Sequence, residues 1–123
     1  DLDRTRFAQG YDFVDNDRFP FDENGHGTHV ASTIAESTNN GRGLTGLAYN
    51  ATIVPVRVLD RNGEGDAARI ADAVRWSVRK GVDLINLSLE FGVDVGARDI
   101  PSLLDALAYA RRKGVLVVGA AGN

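Results

Sequence analysis

The chain contains two histidines, and both lie in the segment GHGTHVA that begins at Gly25. The apolar and small residues of this region predict a helix over His26–Glu36, whose first turn places the two imidazoles roughly on one face. His26 could act there as a general base, because the positive end of a helix favours the neutral imidazole that a base needs. The pair could instead bind a metal with Asp22 or Glu23, or both could be structural, and spacing alone leaves these interpretations open.

A second chemical candidate is the side-chain amide of Asn123, which follows the apolar run Val115–Val118 and a short glycine-rich segment. An amide N–H can stabilise negative charge that develops on a substrate oxygen. An asparagine directly after a strand is also typical of an ordinary turn. Residue type and position alone therefore favour the turn interpretation for Asn123.

Alternating helix and strand patterns run between these two candidates. Two segments of helical periodicity end in Arg-Lys-Gly, which places basic residues at the carbonyl end of a helix and a glycine at its cap. Pro55 lies inside one predicted strand and argues mildly against its continuity, because proline lacks a ladder donor. The predicted helices are Ala67–Lys80 and Pro101–Lys113, and the predicted strands are Tyr11–Val14 (the only one in the first 25 residues), Ile53–Leu59, Val82–Leu89 and Val115–Val118.

The nearly continuous apolar character of the later strands predicts parallel pairing with both sheet faces buried. We therefore predict an α/β fold with right-handed crossovers and no internal domain boundary. The helices should turn apolar faces to the core, namely Ile70, Ala73, Val74, Ser77 and Val78 in the first and Leu103, Leu104, Leu107 and Ala110 in the second. In such sheets the site lies outside the carboxyl ends of the strands, which here are Leu59-Asp60, Ser88-Leu89-Glu90 and Ala121-Gly122-Asn123.

Composition narrows the classes of function. The chain has 123 residues, 43% hydrophobic and 25% charged, which is the composition of a folded globular domain and not of a disordered segment. A net charge of -3 argues against nucleic acid or an anionic membrane surface as a partner bound through bulk positive charge. The chain has no cysteine, which excludes disulfides, thiolate metal sites and a cysteine nucleophile. No apolar run approaches the roughly 20 residues that span a bilayer.

Several segments, in order along the chain, resemble subtilisin-like serine proteases (subtilases), and most closely their thermitase-like branch. These segments are GYDFVDND from Gly10, GHGTHVA from Gly25, GLTGLA from Gly43, VRVLD from Val56, VDLINLSL from Val82 and VLVVGAAGN from Val115. The resemblance covers essentially all 123 residues. It implies a subtilisin-like three-layer α/β fold, with a mostly parallel sheet and flanking helices, and a serine endopeptidase that hydrolyses peptide bonds in polypeptide substrates.

The resemblance also implies catalytic roles. His26 matches the catalytic histidine, which takes the proton of a serine hydroxyl and later delivers it to the leaving amine. His29 matches the second histidine of the motif, which is structural in the family. Asn123 matches the side-chain donor of the oxyanion hole, a group worth roughly 3 kcal/mol of transition-state stabilisation.

Two further segments match the edges between which the family holds an extended peptide substrate. Gly63 and Gly65 match one edge, and the segment Ser88-Leu89-Glu90 matches the other. An extended peptide can pair its backbone with exposed strand edges of this kind. Glu90 stands where the family usually has glycine, at the wall of the first specificity pocket. We expect either a narrower or acidic pocket that prefers basic or small side chains, or a Glu90 side chain that points to solvent.

The loop Ser37–Leu44 resembles the high-affinity calcium loop of the family and implies a structural calcium ion, for which a glycine-rich loop can supply carbonyl oxygens. The implied ligands are the Asp1 carboxylate, the Asn40 side-chain oxygen and the carbonyls of Ser37, Arg42 and Leu44. An ordinary polar loop is the alternative. Asp15, Asp17 and Asp22 could bind a second, weaker calcium ion, although we favour a solvated acidic loop.

A serine protease triad needs a serine and an aspartate beside the histidine. The family's Asp-Thr-Gly or Asp-Ser-Gly and Gly-Thr-Ser motifs do not occur in these residues. We therefore expect residues 1–123 to be the middle part of a single catalytic domain, incomplete at both ends and inactive alone. We also expect them to associate with the rest of that domain or with another copy of the chain.

Two alternatives belong to other classes of protein. A non-catalytic pseudoprotease or binding module could keep the same scaffold, and the upstream and downstream motifs of the full reading frame would distinguish it. A nucleotide-binding domain shares the αβ alternation, but the chain has no G-x-G-x-x-G after a strand. The family resemblance further leads us to expect secretion.

Overall fold

The computed structural model describes residues 1–122, so Asn123 lies outside the described residues. The chain divides into two compact units, one formed by Asp1–Glu64 and one that starts at Gly65, and each is considered by itself. The prediction that residues 1–123 are part of a single catalytic domain stays a prediction.

The first unit contains one helix and two short parallel pairs of strands. Strand β1 (Arg6–Phe7) pairs with β3 (Thr52–Ile53), and β2 (Tyr11–Asp12) pairs with β4 (Val56–Arg57). Helix α1 (His26–Ala35) lies between β2 and β3 in the chain. The prediction of helix over His26–Glu36 is confirmed to within one residue at its end.

The strand predicted over Ile53–Leu59 is wrong as a continuous element, because it is interrupted before Val56. Pro55 has no N–H to donate to a ladder, so β3 and β4 pair with different partners on its two sides. The Pro55 carbonyl still accepts a hydrogen bond from the Tyr11 N–H at 3.1 Å. Gly10 is buried against this proline, and a Cβ there would approach the Pro55 carbonyl carbon to 2.9 Å.

Strand β1 was not expected, since Tyr11–Val14 was the only strand predicted in the first 25 residues. Arg6–Phe7 is too short to show an alternating pattern, and both of its residues are exposed. Its pairing with β3 comes from a partner 46 residues later in the chain at Thr52, which no local pattern reports. The Tyr11–Val14 prediction is confirmed for its first two residues.

Helix α1 ends against a glycine turn. The Glu36 N–H donates to the Ser32 carbonyl at 2.9 Å, and the Gly46 N–H donates to the Glu36 carbonyl at 3.2 Å. Gly46 is buried, and a Cβ there would lie 2.7 Å from the Cα of Ala35. The close approach requires glycine at this position and fixes the carbonyl end of the helix.

An ion cluster centred on the buried Asp12 links β2 and β4. The fully buried Asp12 accepts a hydrogen bond from Arg57 Nη1 at 2.9 Å, and its other oxygen accepts from the N–H groups of Val14 and Asp15 at 2.7 and 2.9 Å. Burial by itself raises the pKa of Asp12, but these hydrogen bonds outweigh it and lower the pKa. Arg57 also binds Asp15 at 2.7 Å and Glu23. These contacts with carboxylates, the hydrogen bond to Asp12 above all, raise the pKa of the guanidinium.

The second unit contains helices α2 (Ala67–Lys80) and α3 (Pro101–Arg112) and the parallel strands β5 (Leu84–Leu87) and β6 (Leu116–Gly119). Helix α2 begins at Asp66, whose carboxylate accepts from the Arg69 N–H at 2.8 Å. It ends at Gly81 with φ 85°, and Gly114 with φ 77° follows α3. Helix α2 therefore has the boundaries that the sequence predicts, α3 ends one residue before the predicted Lys113, and both are followed by the predicted glycine.

Packing in this unit is confirmed for α2 and corrected for α3. All five predicted α2 residues are buried, namely Ile70, Ala73, Val74, Ser77 and Val78. In α3, Leu103 and Ala110 are buried as predicted, but Leu104 is 42% exposed and Ala106 is buried instead. Positions 103, 106 and 110 follow the 3.6-residue repeat, whereas position 104 lies about 100° around the helix from position 103 and farther from the other two.

The prediction that both faces of the sheet are buried is wrong for the described residues. Ile85 and Val115 are only 9% exposed, whereas Leu84, Leu116 and Val118 are 49, 59 and 44% exposed. Leu84 is directly opposite Leu116, and Asn86 is opposite Val118, so these residues share one face. The described part of the unit thus covers one side of β5 and β6 and leaves an apolar face accessible.

No helix in residues 1–122 is both long and apolar enough to cross a bilayer.

The buried pair of Asp12 and Arg57 predicts acid sensitivity. Because the pKa of Asp12 is lowered in the folded state, its contribution to stability is full above about pH 4 and is lost as the pH falls through the folded value. We expect the free energy of unfolding, measured by urea denaturation, to fall more steeply below about pH 4 in the wild type than in Asp12→Asn. At pH 7 the variant should lose about 3 kcal/mol, because Arg57 keeps its charge without its buried partner.

The exposed Asp105 provides the matched control. Asp105→Asn makes the same chemical change without a buried partner, so its unfolding free energy should stay within about 0.5 kcal/mol of the wild type at pH 7. Equal pH profiles for the wild type and Asp12→Asn would contradict the assignment of the acid sensitivity to this pair.

Candidate active site

His26 is the first residue of α1, and its side chain is exposed. Gly25 precedes it in a left-handed conformation, with φ 96°, and a Cβ at Gly25 would meet nothing within 4 Å. The His29 N–H donates to the Gly25 carbonyl at 3.0 Å, which closes the first turn. The imidazole of His26 therefore stands at the open end of the helix, where a base must be accessible to a reacting hydroxyl.

The carboxylate of Asp22 holds this helix start. One of its oxygens accepts hydrogen bonds from the N–H groups of Asn24 and Gly25 at 3.1 and 2.8 Å. The other accepts from the N–H and the hydroxyl of Thr28 at 2.8 and 2.5 Å. Partial burial raises the pKa of Asp22, but these bonds, the Thr28 hydroxyl first, outweigh it and lower the pKa to about 2.

Two neighbouring side chains tie the same segment to β4 and the loop that follows it. The Asn24 amide nitrogen donates to the Arg61 carbonyl at 3.0 Å, and its oxygen accepts from the His26 N–H at 3.4 Å. Glu23 binds the guanidinium of Arg57. The three residues Asp22, Glu23 and Asn24 therefore each anchor the approach to His26 through a side chain.

The geometry gives no support to a metal site built on the two histidines. Within residues 1–122, no group of three or more histidine, aspartate or glutamate side chains is arranged to hold a metal ion. Asp22 instead binds the helix start, Asp15 binds Arg57, and Asp17 accepts from the Phe19 N–H at 2.7 Å. The aspartates considered for a second calcium ion are thus engaged separately in local bonds, which favours an acidic loop.

Residues of the predicted calcium loop lie close together. Asn40 donates its amide to the Asp1 carboxylate, and the Ser37 N–H donates to the Asp1 carbonyl at 2.9 Å. The Arg42 N–H donates to the Asn40 side-chain oxygen at 3.2 Å, and the Leu44 N–H donates to Glu36 at 3.3 Å. Asn39, Gly41 and Gly43 have φ of 55, 72 and 60°, so the loop turns sharply. The donor set is entirely oxygen, which fits the chemistry of calcium, and most of the ligands would be carbonyls.

The loop that contains Gly63 is closed by Asp60. Its carboxylate accepts from the N–H groups of Asn62 and Glu64 at 2.8 and 3.0 Å, and its own N–H donates to the Glu64 carbonyl at 2.8 Å. Gly63 has φ 81°, which a side chain would strain. The second predicted glycine, Gly65, begins the other unit and is exposed.

An apolar groove of about 460 Å³ lies in the second unit. It is lined at the carboxyl ends of β5 and β6 by Leu89, Glu90 and Gly119–Gly122, and on the helix side by Ile70, Leu103 and Leu107. The Ala120 N–H donates to the Leu87 carbonyl at 3.1 Å, which continues the ladder to the rim. Glu90 Oε2 lies 3.3 Å from the position of a Cβ on Gly122. Leu89 and Glu90 thus line one groove, whereas Ser88 accepts a hydrogen bond from Asn86 at 2.9 Å and does not line it.

Several of these roles were not predicted from the sequence. The sequence suggests Asp22 only as a metal ligand, whereas in the structure it accepts a hydrogen bond from Thr28, on the other side of His26. Leu103 and Leu107 were assigned to the core, although they also line the groove. The role predicted for Asn123 falls on a residue outside the described part of the chain.

Comparison with known proteins relates the whole chain to one family. The model of the Subtilase family matches residues 1–123. A thermophilic serine proteinase of Bacillus sp. (strain AK1) is 50% identical over the entire chain, which covers 29% of that protein. Thermitase of Thermoactinomyces vulgaris is 46% identical over 93% of the chain, which corresponds to 39% of thermitase.

A solved structure agrees with these sequence matches. The crystal structure of a cold-adapted subtilisin-like serine proteinase superimposes with a TM-score of 0.79 at 39% identity, over 96% of this chain and 40% of that one. The chain thus spans well under half the length of the proteins it matches, and its parallel strands and helices form a subtilisin-like α/β arrangement. The chain belongs to the subtilase family.

Proposed function

We propose that the protein containing these residues is a serine endopeptidase, in which His26 is the general base and Asn123 is a donor of the oxyanion hole. The observation that carries the proposal is the exposed imidazole of His26 on a helix start that is anchored from both sides, in a chain that matches the Subtilase family throughout. In this role His26 takes the proton of the nucleophilic serine and returns it to the leaving amine.

The oxyanion hole supplies the other half of the chemistry. As the serine attacks, the substrate carbonyl oxygen gains negative charge, and the Asn123 amide donates a hydrogen bond to it. Such a donor is worth roughly 3 kcal/mol in the transition state. Since β6 ends at Gly119, residues 120–122 follow the carboxyl end of a parallel strand, where sites of α/β proteins lie.

We further propose that residues 1–123 have no peptidase activity alone. They lack the family's Gly-Thr-Ser and Asp-Thr/Ser-Gly motifs, which would supply the nucleophile and the aspartate of a triad. The partner that completes the site is the rest of the catalytic domain, with a second copy of the chain as the alternative. A pseudoprotease on the same scaffold is the competing function, and it predicts no activity in the complete protein.

The catalytic proposal is tested by replacing each histidine in the complete protein. His26→Ala should lower kcat on a peptide substrate by about four to six orders of magnitude, because the base is lost. His29→Ala, an exposed histidine on the same turn, should keep kcat within a few fold. A fluorophosphonate probe should label the complete protein and leave the 123-residue chain unlabelled. Wild-type activity in His26→Ala would reject the role of His26, and an inactive wild type would favour the pseudoprotease.

We propose that the substrate is an extended polypeptide. Its backbone would pair with the backbone of this chain at Gly63 and Gly65 and at Ser88–Glu90. Glycine at an edge lets a second backbone approach closely, and a paired peptide satisfies its own N–H and carbonyl groups. The apolar groove beside Leu89 would then receive one substrate side chain.

Glu90 is proposed to give this groove a preference for basic side chains. The groove is lined mainly by apolar residues, and Glu90 brings a carboxylate to it beside Gly122. Lysine and arginine match this arrangement, because their aliphatic stems bury against apolar walls while the charged end meets the carboxylate.

Replacement of Glu90 tests the preference. Glu90→Gln should lower kcat/KM for a lysine-containing substrate by about tenfold, equivalent to about 1.4 kcal/mol, and leave the matching leucine substrate nearly unchanged. The lysine preference of the wild type should also weaken as salt is raised. Asp94→Asn, an exposed acid outside the groove, is the control and should change neither substrate. An unchanged lysine-to-leucine ratio in Glu90→Gln would contradict the proposal.

A structural calcium ion is proposed at the loop that brings Asp1 and Asn40 together. The Asp1 carboxylate, the Asn40 side-chain oxygen and the carbonyls of Ser37, Arg42 and Leu44 would hold it. The support is the oxygen-only chemistry of this sharply turned loop and the hydrogen bonds that already join Asp1 to Ser37 and Asn40. When bound, the ion would neutralise charge and cross-link the segments that carry these ligands.

Calcium dependence is measurable by thermal unfolding. A hundredfold excess of calcium over its dissociation constant should stabilise the protein by about 2.7 kcal/mol, and a chelator should remove that gain. Asn40→Ala should abolish most of the calcium effect, whereas Asn62→Ala, in the Asp60–Glu64 loop, should retain it. Equal transition temperatures with calcium, magnesium and chelator would contradict the proposal and indicate an ordinary polar loop.

We also propose, from the family resemblance, that the protein is secreted, and a secreted protein would meet calcium at adequate concentration.

A further inference from the structure

The backbone around His26 has little intrinsic rigidity. Glycines flank the histidine on both sides, and glycine loses more conformational freedom on folding than any other residue. Gly25 is the N-cap of α1 and provides no side-chain cap bond. Nothing within 4 Å would confine a Cβ at Gly25, so packing does not hold this position either. An aligned catalytic imidazole on such a turn needs a restraint from another residue.

Asp22 provides contacts on both sides of the histidine. Before His26 its carboxylate accepts the N–H groups of Asn24 and Gly25, at 3.1 and 2.8 Å. After His26 it accepts the N–H and hydroxyl of Thr28, at 2.8 and 2.5 Å. A Cβ on Gly27 would lie 3.7 Å from Asp22 Oδ2, so the carboxylate sits directly against the turn.

We infer that Asp22 is a positioning residue for His26, which fixes the first turn of α1 by bracketing the histidine with four hydrogen bonds. The inference rests on the proposed function of His26 and deepens it. Asp22 acts through the backbone and touches neither substrate nor the reacting atoms. A negative charge at this end of a helix is also favourable to the helix itself.

The ionisation of Asp22 supports this role. Its pKa of about 2 means that the carboxylate stays charged throughout the range in which a histidine base operates. All of its hydrogen-bonding partners are donors, as an ionised carboxylate requires. The restraint on the turn is therefore constant while His26 itself changes protonation.

Three substitutions separate the contacts. Asp22→Asn keeps one accepting oxygen for Asn24 and Gly25 but places the amide nitrogen, which donates and cannot accept, against Thr28. Thr28→Val removes only the hydroxyl and leaves the Thr28 N–H bond in place. Thr28→Ser keeps the hydroxyl and is the conservative rescue. Asp66→Ala is the matched control, because Asp66 caps α2 through the Arg69 N–H in the same way but at another helix.

Steady-state kinetics in the complete protein provide the first test. Asp22→Asn should lower kcat by about 10- to 100-fold while KM changes less than threefold, because a misplaced base affects the transition state more than substrate binding. Thr28→Val should lower kcat severalfold, and Thr28→Ser should restore it. Asp66→Ala should lose stability and keep kcat. A normal kcat in Asp22→Asn, in an enzyme that His26→Ala inactivates, would overturn the inference.

Amide hydrogen exchange provides a test that does not depend on activity. In the wild type the N–H groups of Asn24, Gly25 and Thr28 should exchange slowly, and Asp22→Asn should accelerate Thr28 by at least tenfold. The Arg69 amide should be unaffected in Asp22→Asn and accelerated in Asp66→Ala. Unchanged protection of Thr28 would overturn the inference even if the wild type had no peptidase activity. Accelerated exchange in an inactive wild type would support the restraint and reject only the proposed function.

Discussion

The first unit depends on the ion pairs that the guanidinium of Arg57 forms with three carboxylates. The side chain of Arg57 is 10% exposed and that of Asp12 is 1% exposed, so the Asp12 carboxylate is withdrawn from water and the guanidinium keeps little contact with it. Desolvation of this kind is tolerated only when the remaining donors and acceptors are satisfied. Arg57 meets this condition with Asp12, Asp15 and Glu23, which come from a strand, the loop after it and the segment before α1. Arg57 lies opposite Asp12 in the β2–β4 ladder, and its side chain also connects this pair of strands to the loop after β2 and to the segment before α1.

Charge and hydrogen bonds, more than apolar packing, hold the segment between β2 and α1. Phe19 and Phe21 lie in this segment and are 78 and 75% exposed, so they contribute little to a core. The ordering of the loop comes instead from carboxylates that accept backbone N–H groups, as at Asp12, Asp17 and Asp22. The second unit is held mainly by apolar packing, because α2 and α3 bury alanine, valine, isoleucine and leucine side chains.

The difference between the two units explains which elements could be predicted from the sequence. Helix α2 is predicted to the residue, because the 3.6-residue repeat and Gly81 indicate its extent, and the cap at Asp66 in the structure agrees with its start. Strand β1 is not predicted, because its partner Thr52 is remote in the sequence and two residues cannot show a period. The exposed face of β5 and β6 was also missed, since an apolar strand has the same pattern whether one or both faces are covered.

In the candidate site, too, features that are local in the sequence could be predicted, and contacts between separate segments could not. The role proposed for His26 comes from the resemblance of its motif to the subtilases, because the spacing of the two histidines alone leaves a base, a metal ligand and a structural role open. The residues that hold it were not predicted, because Asp22 acts through Thr28, and Glu23 acts through Arg57, 34 residues later. The glycines beside His26 leave the imidazole accessible, and they also remove the local stiffness that the proposed role as a base would require. The acidic side chains before the helix restore that stiffness from a distance, so accessibility and alignment at His26 are set by different residues.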